Sequence, residues 1–533
     1  MRKKSRPTLA APAPRGAVRR RTNRVRRSLV AASAAVLTAS LLAACGGSSS
    51  SGAAGSGTGG VLNIANPGDV PAYDPVVLGP TATTQTLSLI YEPLFTLDEA
   101  GKIQPALATD YTFNDKGDRL SLTLREGLTF QDGSPLDAEA VVYHLERGLS
   151  QENSALKAAY HEIKSVKAVD ATHVQIDLTR TDFGFPLILA NRSALIASKQ
   201  AAESDLKTLN ATGPVGAGPF KVVKVVPGAS ITLEKWDGYW DADNIKIDTV
   251  KVSLQTDPAT VLSGLQTGVY NFALSLSPQN VESAKASGLK VWADTAANWV
   301  ATFVNVNKKI APFTNPKVVE AFNAAIDREA FVKNLTFGLG VASANPVPSN
   351  NPAFNPAIDE EIAFDPAKAK KLLAESGEKD LSIEVHVFPT TSAPAEQLQQ
   401  QLEAVGFKVK IVADDTTSFY PGYYGKTQQA AVYGYVGRDN KLLALDEHFS
   451  ASGILNLSAT EDPAYTAARQ KVLTTPLDDP NYDDYLQAAA KVGVETGGSV
   501  FLYTSPTASV TSADVSDFGK TDGLFRWNGI TVG

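Results

Sequence analysis

The 533-residue sequence holds one cysteine, Cys45, one methionine, Met1, and five histidines. A single cysteine excludes an intrachain disulfide and any multi-cysteine metal site. His144, His161, His173, His386 and His448 are scattered, and no pair has the spacing of metal ligands. No G-x-S-x-G elbow occurs, so an α/β-hydrolase nucleophile has no support. Gly425-Lys426-Thr427 ends like a phosphate loop, but Tyr420 stands where the loop's first glycine belongs. The acidic pairs Asp414-Asp415 and Asp478-Asp479 lack the spacing of a calcium loop. His144 and His386 fall within a helix pattern and a strand pattern, where a histidine is a structural residue first. No fixed-period repeat is visible, and no low-complexity stalk follows residue 60.

Charge is present but unevenly spread. The formal net charge is −7, yet the first 44 residues carry 11 basic side chains and no acidic ones. The remaining 489 residues hold 38 basic against 56 acidic side chains, a net of −18. A body this acidic repels phosphate backbones, so nucleic acid is not an expected partner.

The basic run leads into residues 29–44, LVAASAAVLTASLLAA, an uncharged and mostly apolar stretch. Positive, then apolar, then small residues is the plan of a secretory signal peptide. At 16 residues the stretch is short for a span of roughly 20. Residues 1–44 are therefore expected to be a signal peptide, with Arg26-Arg27 a partial twin-arginine match that leaves the export route open. Leu42-Ala43-Ala44-Cys45 resembles a bacterial lipobox, which implies cleavage before Cys45 and acylation of its sulfur. Two or more acyl chains hold a protein stably at a membrane. Residues 46–60, GGSSSSGAAGSGTGG, have no apolar side chain larger than alanine and read as a flexible tether. Gly55, Gly57 and Gly60 spell G-x-G-x-x-G there without a strand before or a helix after, so no nucleotide site is inferred.

Beyond the tether, strand and helix signals interleave. VLNIAN (61–66) reads as a strand. In 118–130, Leu120, Leu122 and Leu124 alternate onto one face, and Leu128 and Phe130 resume the pattern after a turn. Asp137 is placed to cap a helix with Val141, Leu145 and Leu149 on its apolar face. Asn315-Pro316, Asp327 and Asp365-Pro366 each start a further helix, and Gly377 stops the last of them. Pro394 opens another that Gly406 closes, followed by the strand FKVKIV (407–412). This alternation predicts an α/β fold rather than a bundle or a sandwich.

Several ordered segments then resemble one family. Tyr91-Glu92-Pro93-Leu94, Pro105-Ala106-Leu107-Ala108 and LTLREGLTFQDGSPLDAEAVVYHLER (122–147) are similar to the signature of family 5 extracellular solute-binding proteins, receptors of peptide, nickel and related ABC importers. GAGPF (216–220), LEKWDGYW (233–240), GLQTG (264–268), APFTNPKVVEAFNAAIDREAF (311–331), DPAKAKKLLAESG (365–377) and QLEAVGFKV (401–409) continue it in family order. The resemblance implies a two-lobed, periplasmic-binding-protein-like fold of type II with an extra inserted domain and a cleft between the lobes. The expected boundaries are 61–99, 211–297 and 500–533 for the first lobe, 100–210 for the insert and 298–499 for the second lobe. Hinges are expected near Ala297 and at Gly497-Gly498. The sequence departs from the family where Tyr111 replaces a tryptophan and where Ala140 and Asn271 replace aspartates.

The resemblance implies a receptor without catalytic residues or cofactor, tethered outside the cytoplasmic membrane and feeding an ABC permease as a monomer. A secreted hydrolase and a non-transport envelope lipoprotein are the alternatives. Peptide is the first expected ligand, with sugars or a metal–chelate complex behind it. Three segments are expected to touch the solute: Leu78, Gly79 and Thr81; Asn298 and Trp299; and the aromatic run holding Tyr420, Tyr423 and Tyr435. Peptide-binding members place an aspartate, paired to the peptide amine, where this chain has Arg438, with Asp439 one step later. A guanidinium there favours a carboxylate or another acceptor-rich group over an amine.

Overall fold

The computed structural model describes residues 59–68, 70–77, 81–293, 299–437, 440–516 and 523–533. Cys45, the signal segment and most of the tether lie outside these residues.

Two large mixed sheets organise the chain. The first has seven strands in the order Lys290–Trp292, Ala508–Thr511, Phe272–Leu276, Val61–Asn66, Thr249–Leu254, Ser230–Lys235, Phe220–Val226. Val61–Asn66 runs parallel to both neighbours, and Leu62 and Ile64 are fully buried in one core cluster with Leu87 and Phe272. Asn271, at the family's aspartate position, accepts the Asn63 amide at 2.6 Å and so fixes this central strand. The second sheet has six strands in the order Val341–Ala342, Ser499–Pro506, Trp299–Val306, Ala430–Val436, Ser382–Val387, Lys408–Ala413.

Between the strands Val61–Asn66 and Phe220–Val226 the chain builds a separate four-stranded antiparallel sheet of Ala108–Phe113, Arg119–Leu124, His173–Leu178 and Ile163–Ala168. Leu120, Leu122 and Leu124 bury one face of it against the helix Ala138–Ser150. Asp137 caps that helix by accepting the Ala140 amide at 3.1 Å. Leu128 and Phe130 do not extend the strand, because Asp132-Gly133 turns the chain at once and leaves a single bridge between Thr129 and Pro135. Tyr111 joins an edge-to-face aromatic row with Phe95, Phe113 and Phe183, which accounts for a large ring there.

The chain passes between the large sheets twice. The first passage falls between Trp292 and Trp299, near the expected residue 297. The second differs from expectation. Ser499–Pro506 pairs with Trp299–Val306 from Trp299↔Pro506 to Asn305↔Ser499, so it belongs to the second sheet, and the return occurs at Pro506–Ala508 rather than at residue 500. Gly497 and Gly498 are packing glycines instead of a hinge. A Cβ on Gly498 would lie 2.5 Å from the Val306 carbonyl, and one on Gly497 would lie 2.8 Å from the Phe449 ring.

Candidate functional site

In open α/β sheets ligands settle outside the carboxyl ends of parallel strands, where the connections part. In the first sheet Val61–Asn66, Thr249–Leu254 and Phe272–Leu276 all end on the same side, and Leu276 pairs there with Ala508, just past the return crossing. Both passages therefore border one crevice, and Trp299 stands where the first of them enters the second sheet.

Trp299 is almost fully buried and meets the Tyr435 ring edge-to-face at 6.2 Å. Gly437 closes over it, since a Cβ at Gly437 would sit 2.6 Å from the indole. Tyr435 also packs edge-to-face on His448 at 5.0 Å. Three residues on from Gly437, Asn440 caps the helix Lys441–Phe449 through the Leu443 amide at 2.9 Å. The Asn440 amide also donates to the Gly184 carbonyl at 3.0 Å. Arg438 and Asp439 lie between these two anchored residues and outside the described set, as do Leu78, Gly79 and Asn298. Thr81 is the first residue of the helix Thr81–Leu87.

The approach to the Leu78 segment is held from inside. Asp74 accepts from the Arg147 guanidinium at 2.5 Å, with both side chains buried, and takes the Val76 amide at 3.1 Å. Val76 in turn accepts the Ala155 amide at 3.0 Å.

The aromatic run divides into packing and surface. Phe419, Tyr423 and Tyr433 stack nearly parallel, with Tyr423 and Tyr433 centroids 5.0 Å apart. Tyr423 has no exposed surface and its hydroxyl meets the Asn305 amide, so the structure gives it a core position rather than a solute-facing one. Tyr435 is likewise covered, at 3% exposure, by Trp299 and His448. Tyr420 is half-buried and stacks on Tyr424, which is 47% exposed. Lys426 donates to the Gly453 and Ile454 carbonyls, and burial lowers its amine to about 8; it is a structural tie rather than a phosphate ligand.

A contact flanked by charged residues, which sequence patterns did not single out, joins the small sheet to the second lobe. The Phe183 amide donates to the Leu473 carbonyl at 3.1 Å beside the Asn440–Gly184 bond. Asp182, buried here, accepts the Gly184 amide at 3.0 Å, and desolvation pushes its carboxyl up to about 7. Arg180 pairs with Glu162 at 2.7 Å, while Asp446 accepts from Tyr465 at 2.8 Å and pairs with Arg469 at 3.3 Å. These residues are far apart in sequence and carry no spacing signal.

Elsewhere, a groove of about 920 Å³ runs along Ser382–Val387 and Lys408–Ala413, at the edge of the second sheet away from the crossing strands. Among the described residues no group of three acidic, histidine or cysteine side chains could hold a metal ion. No described helix is long and apolar enough to cross a membrane.

Two lobes, two passages and an inserted sheet around one crevice define a two-lobed solute receptor of the type II periplasmic-binding-protein fold. Residues 102–447 match the bacterial extracellular solute-binding proteins, family 5 Middle. The chain belongs to the family 5 extracellular solute-binding proteins, the non-enzymatic, extracytoplasmic receptors of ABC importers. The glutathione-binding protein GsiB of Salmonella paratyphi A is 32% identical over 362 residues, covering 67% of this chain and 70% of that protein. The structure of DppA from Helicobacter pylori with the peptide STSA superposes with a TM-score of 0.77 at 22% identity, over 89% of this chain and 98% of that one. NikZ from Campylobacter jejuni with Ni(L-His) gives 0.71 at 22% identity, over 88% and 97%. At these identities the solved structures speak for the fold alone.

Proposed function

We propose that this receptor captures a short peptide or peptide-like solute between its lobes and delivers it to a membrane permease. The observation that carries this reading is the 32% identity to a glutathione-binding protein over two thirds of both chains. Arg438 is the residue proposed to meet a carboxylate of the solute, with Trp299 supporting the wall behind it. Cys45 is proposed to carry the lipid that keeps the receptor, a monomer, at the outer face of the membrane. The first lobe is assigned to 61–99, 211–297 and the chain after Pro506, the insert to 100–210, and the second lobe to 298–506.

Calorimetry of the detergent-solubilised full chain against reduced glutathione, tripeptides, sugars and Ni(L-His) tests the ligand class. Saturable binding of glutathione or tripeptides is expected. Binding confined to sugars or to the metal chelate would replace the peptide assignment. Replacing Arg438 with Ala should weaken binding by roughly 1.5–3 kcal/mol, the range of a charge-assisted hydrogen bond. For the anchor, Cys45→Ala should release the protein from membranes; retention after a high-salt wash would show that no lipid holds it.

A further inference from the structure

Phe337 breaks two rules at once. Its ring is 61% exposed, and its backbone sits at φ +54°, a left-handed conformation that a bulky side chain seldom adopts. Gly338 follows at φ +81°, so two left-handed residues in succession reverse the chain after the helix Arg328–Leu335. The reversal is held on both sides of the phenylalanine. Thr336 is buried, its hydroxyl donates to the Val332 carbonyl at 2.8 Å, and it accepts the Gly340 amide at 2.9 Å. A Cβ on Gly340 would approach the Thr504 carbonyl to 3.0 Å, so only glycine lets the loop lie this close to the strand Ser499–Pro506. Strained residues of this kind persist where surrounding bonds over-determine them, and they gather at ligand clamps.

The loop's position says which clamp. Val341 pairs with Thr504 in antiparallel register, so the residues before Val341 extend toward Pro506 and the return crossing. Leu339 packs against the cluster of Ala65, Leu276 and Ala508, side chains of the first sheet. The loop therefore leaves the second lobe, touches the first, and does so at the end of the sheet where the parallel strands stop. Phe337 is two residues away from that contact.

We infer that Phe337 forms an apolar wall of the solute cleft and selects solutes with an apolar side chain at one position. The inference rests on the peptide reading above. An exposed phenyl ring gains little in water and much when a solute side chain covers it, which is a reason to hold it outward against backbone preference. The permease is the competing occupant, and the placement at the inner ends of the parallel strands favours the solute.

The test titrates detergent-solubilised full-length protein with reduced glutathione and with alanine tripeptides carrying one Phe or one Ser at each position. The wild type should prefer Phe over Ser at one position. Phe337→Ala should abolish that preference and weaken binding of the preferred peptide by about tenfold or more, the range for losing a covered phenyl contact. Phe337→Tyr should keep it. The melting midpoints of Phe337→Ala and Phe337→Gly should not fall, because each retains the loop bonds and glycine relieves the strain. Unchanged peptide preference in Phe337→Ala overturns the inference, as does a wild type that binds the peptides without any such preference. Unchanged binding with lost uptake in reconstituted vesicles would assign Phe337 to the permease instead. A wild type that binds no peptide would end the peptide reading, and this inference with it, before any variant is measured.

Discussion

At the scale of single residues, close packing sets sharper limits than chemistry does. Gly434 and Gly437 lie three positions apart around Tyr435, but their surroundings differ. A Cβ at Gly434 would meet Val300 Cγ1 at 3.5 Å, an ordinary contact, whereas at Gly437 it would press into the Trp299 indole. Gly437→Ala should therefore cost about 1–3 kcal/mol by overpacking, and Gly434→Ala should be neutral or slightly stabilising. Urea denaturation of the two variants checks this, and equal midpoints would contradict it. His144 is a second case. It is buried with no hydrogen-bond partner for either ring nitrogen among the described residues, and desolvation lowers its pKa to about 3, assisted by Arg147. The native state holds it neutral while the unfolded chain protonates it near 6.5, so stability contributed by this group is lost as pH falls below 6.5. His144→Leu should flatten the acid limb of the stability profile. At pH 7 it should leave stability unchanged or about 1 kcal/mol higher, because it removes an unsatisfied polar group.

At the scale of elements, much was legible, and the reasons are local. Asp137, Asn315, Asp327 and Asp365 all cap the helices their positions indicated, because a short polar side chain before a helix satisfies a backbone amide within three residues. Gly377 ends its helix at φ +72°, as a left-handed cap requires. His386 does lie in a strand, Ser382–Val387, where it contacts Asp414 at 2.8 Å. The helix anticipated from Pro394 begins earlier, at Ser392, since a proline fits the first turn as well as the first position. What local patterns could not supply was partnership across long separations. The stretch after residue 500 is expected in the first lobe although Ser499–Pro506 pairs into the second sheet, and the tyrosines of 419–424 read as aromatic surface although Asn305 and Tyr433 claim Tyr423 for the core. The Asp74–Arg147 pair was equally invisible, its members being 73 residues apart. That pair pins the stretch before Leu78 to the helix Ala138–Ser150. Removing one partner leaves a buried charge, so Arg147→Ala should cost about 3–5 kcal/mol, and a double variant with Asp74→Asn should recover part of it. A double-mutant cycle with no coupling would show that the pair contributes nothing to holding the segment.

At the scale of the whole molecule, a solute shifts a two-lobed receptor only through contacts that differ between its open and closed forms. The contact between the small sheet and the second lobe is a candidate for such a contact, since Phe183–Leu473 and Gly184–Asn440 join parts of the chain that lie on opposite sides of the crevice. Asp182 sits inside it. Burial raises its carboxyl to about 7, outweighing the lowering by Arg180 and the Gly184 amide, and Glu162 and Asp446 push in the same direction as burial. A carboxyl whose pKa rises on burial takes up a proton as the contact forms. Its contribution is therefore most favourable at low pH and is lost as pH rises through about 7. Asp446 is raised to about 6 by burial, opposed by Arg469 and the Tyr465 hydroxyl of its own lobe, so it titrates at the acid edge of this range. If closure makes this contact, affinity for the solute should fall as pH rises from 6 to 8. Asp182→Asn keeps an oxygen for the Gly184 amide and removes its titrating proton, so its affinity should fall less than that of the wild type over the same interval and exceed it at pH 8. Calorimetry with the best-binding tripeptide at three pH values reads both slopes. Parallel profiles for variant and wild type would mean that the contact persists in the open form and takes no part in capture.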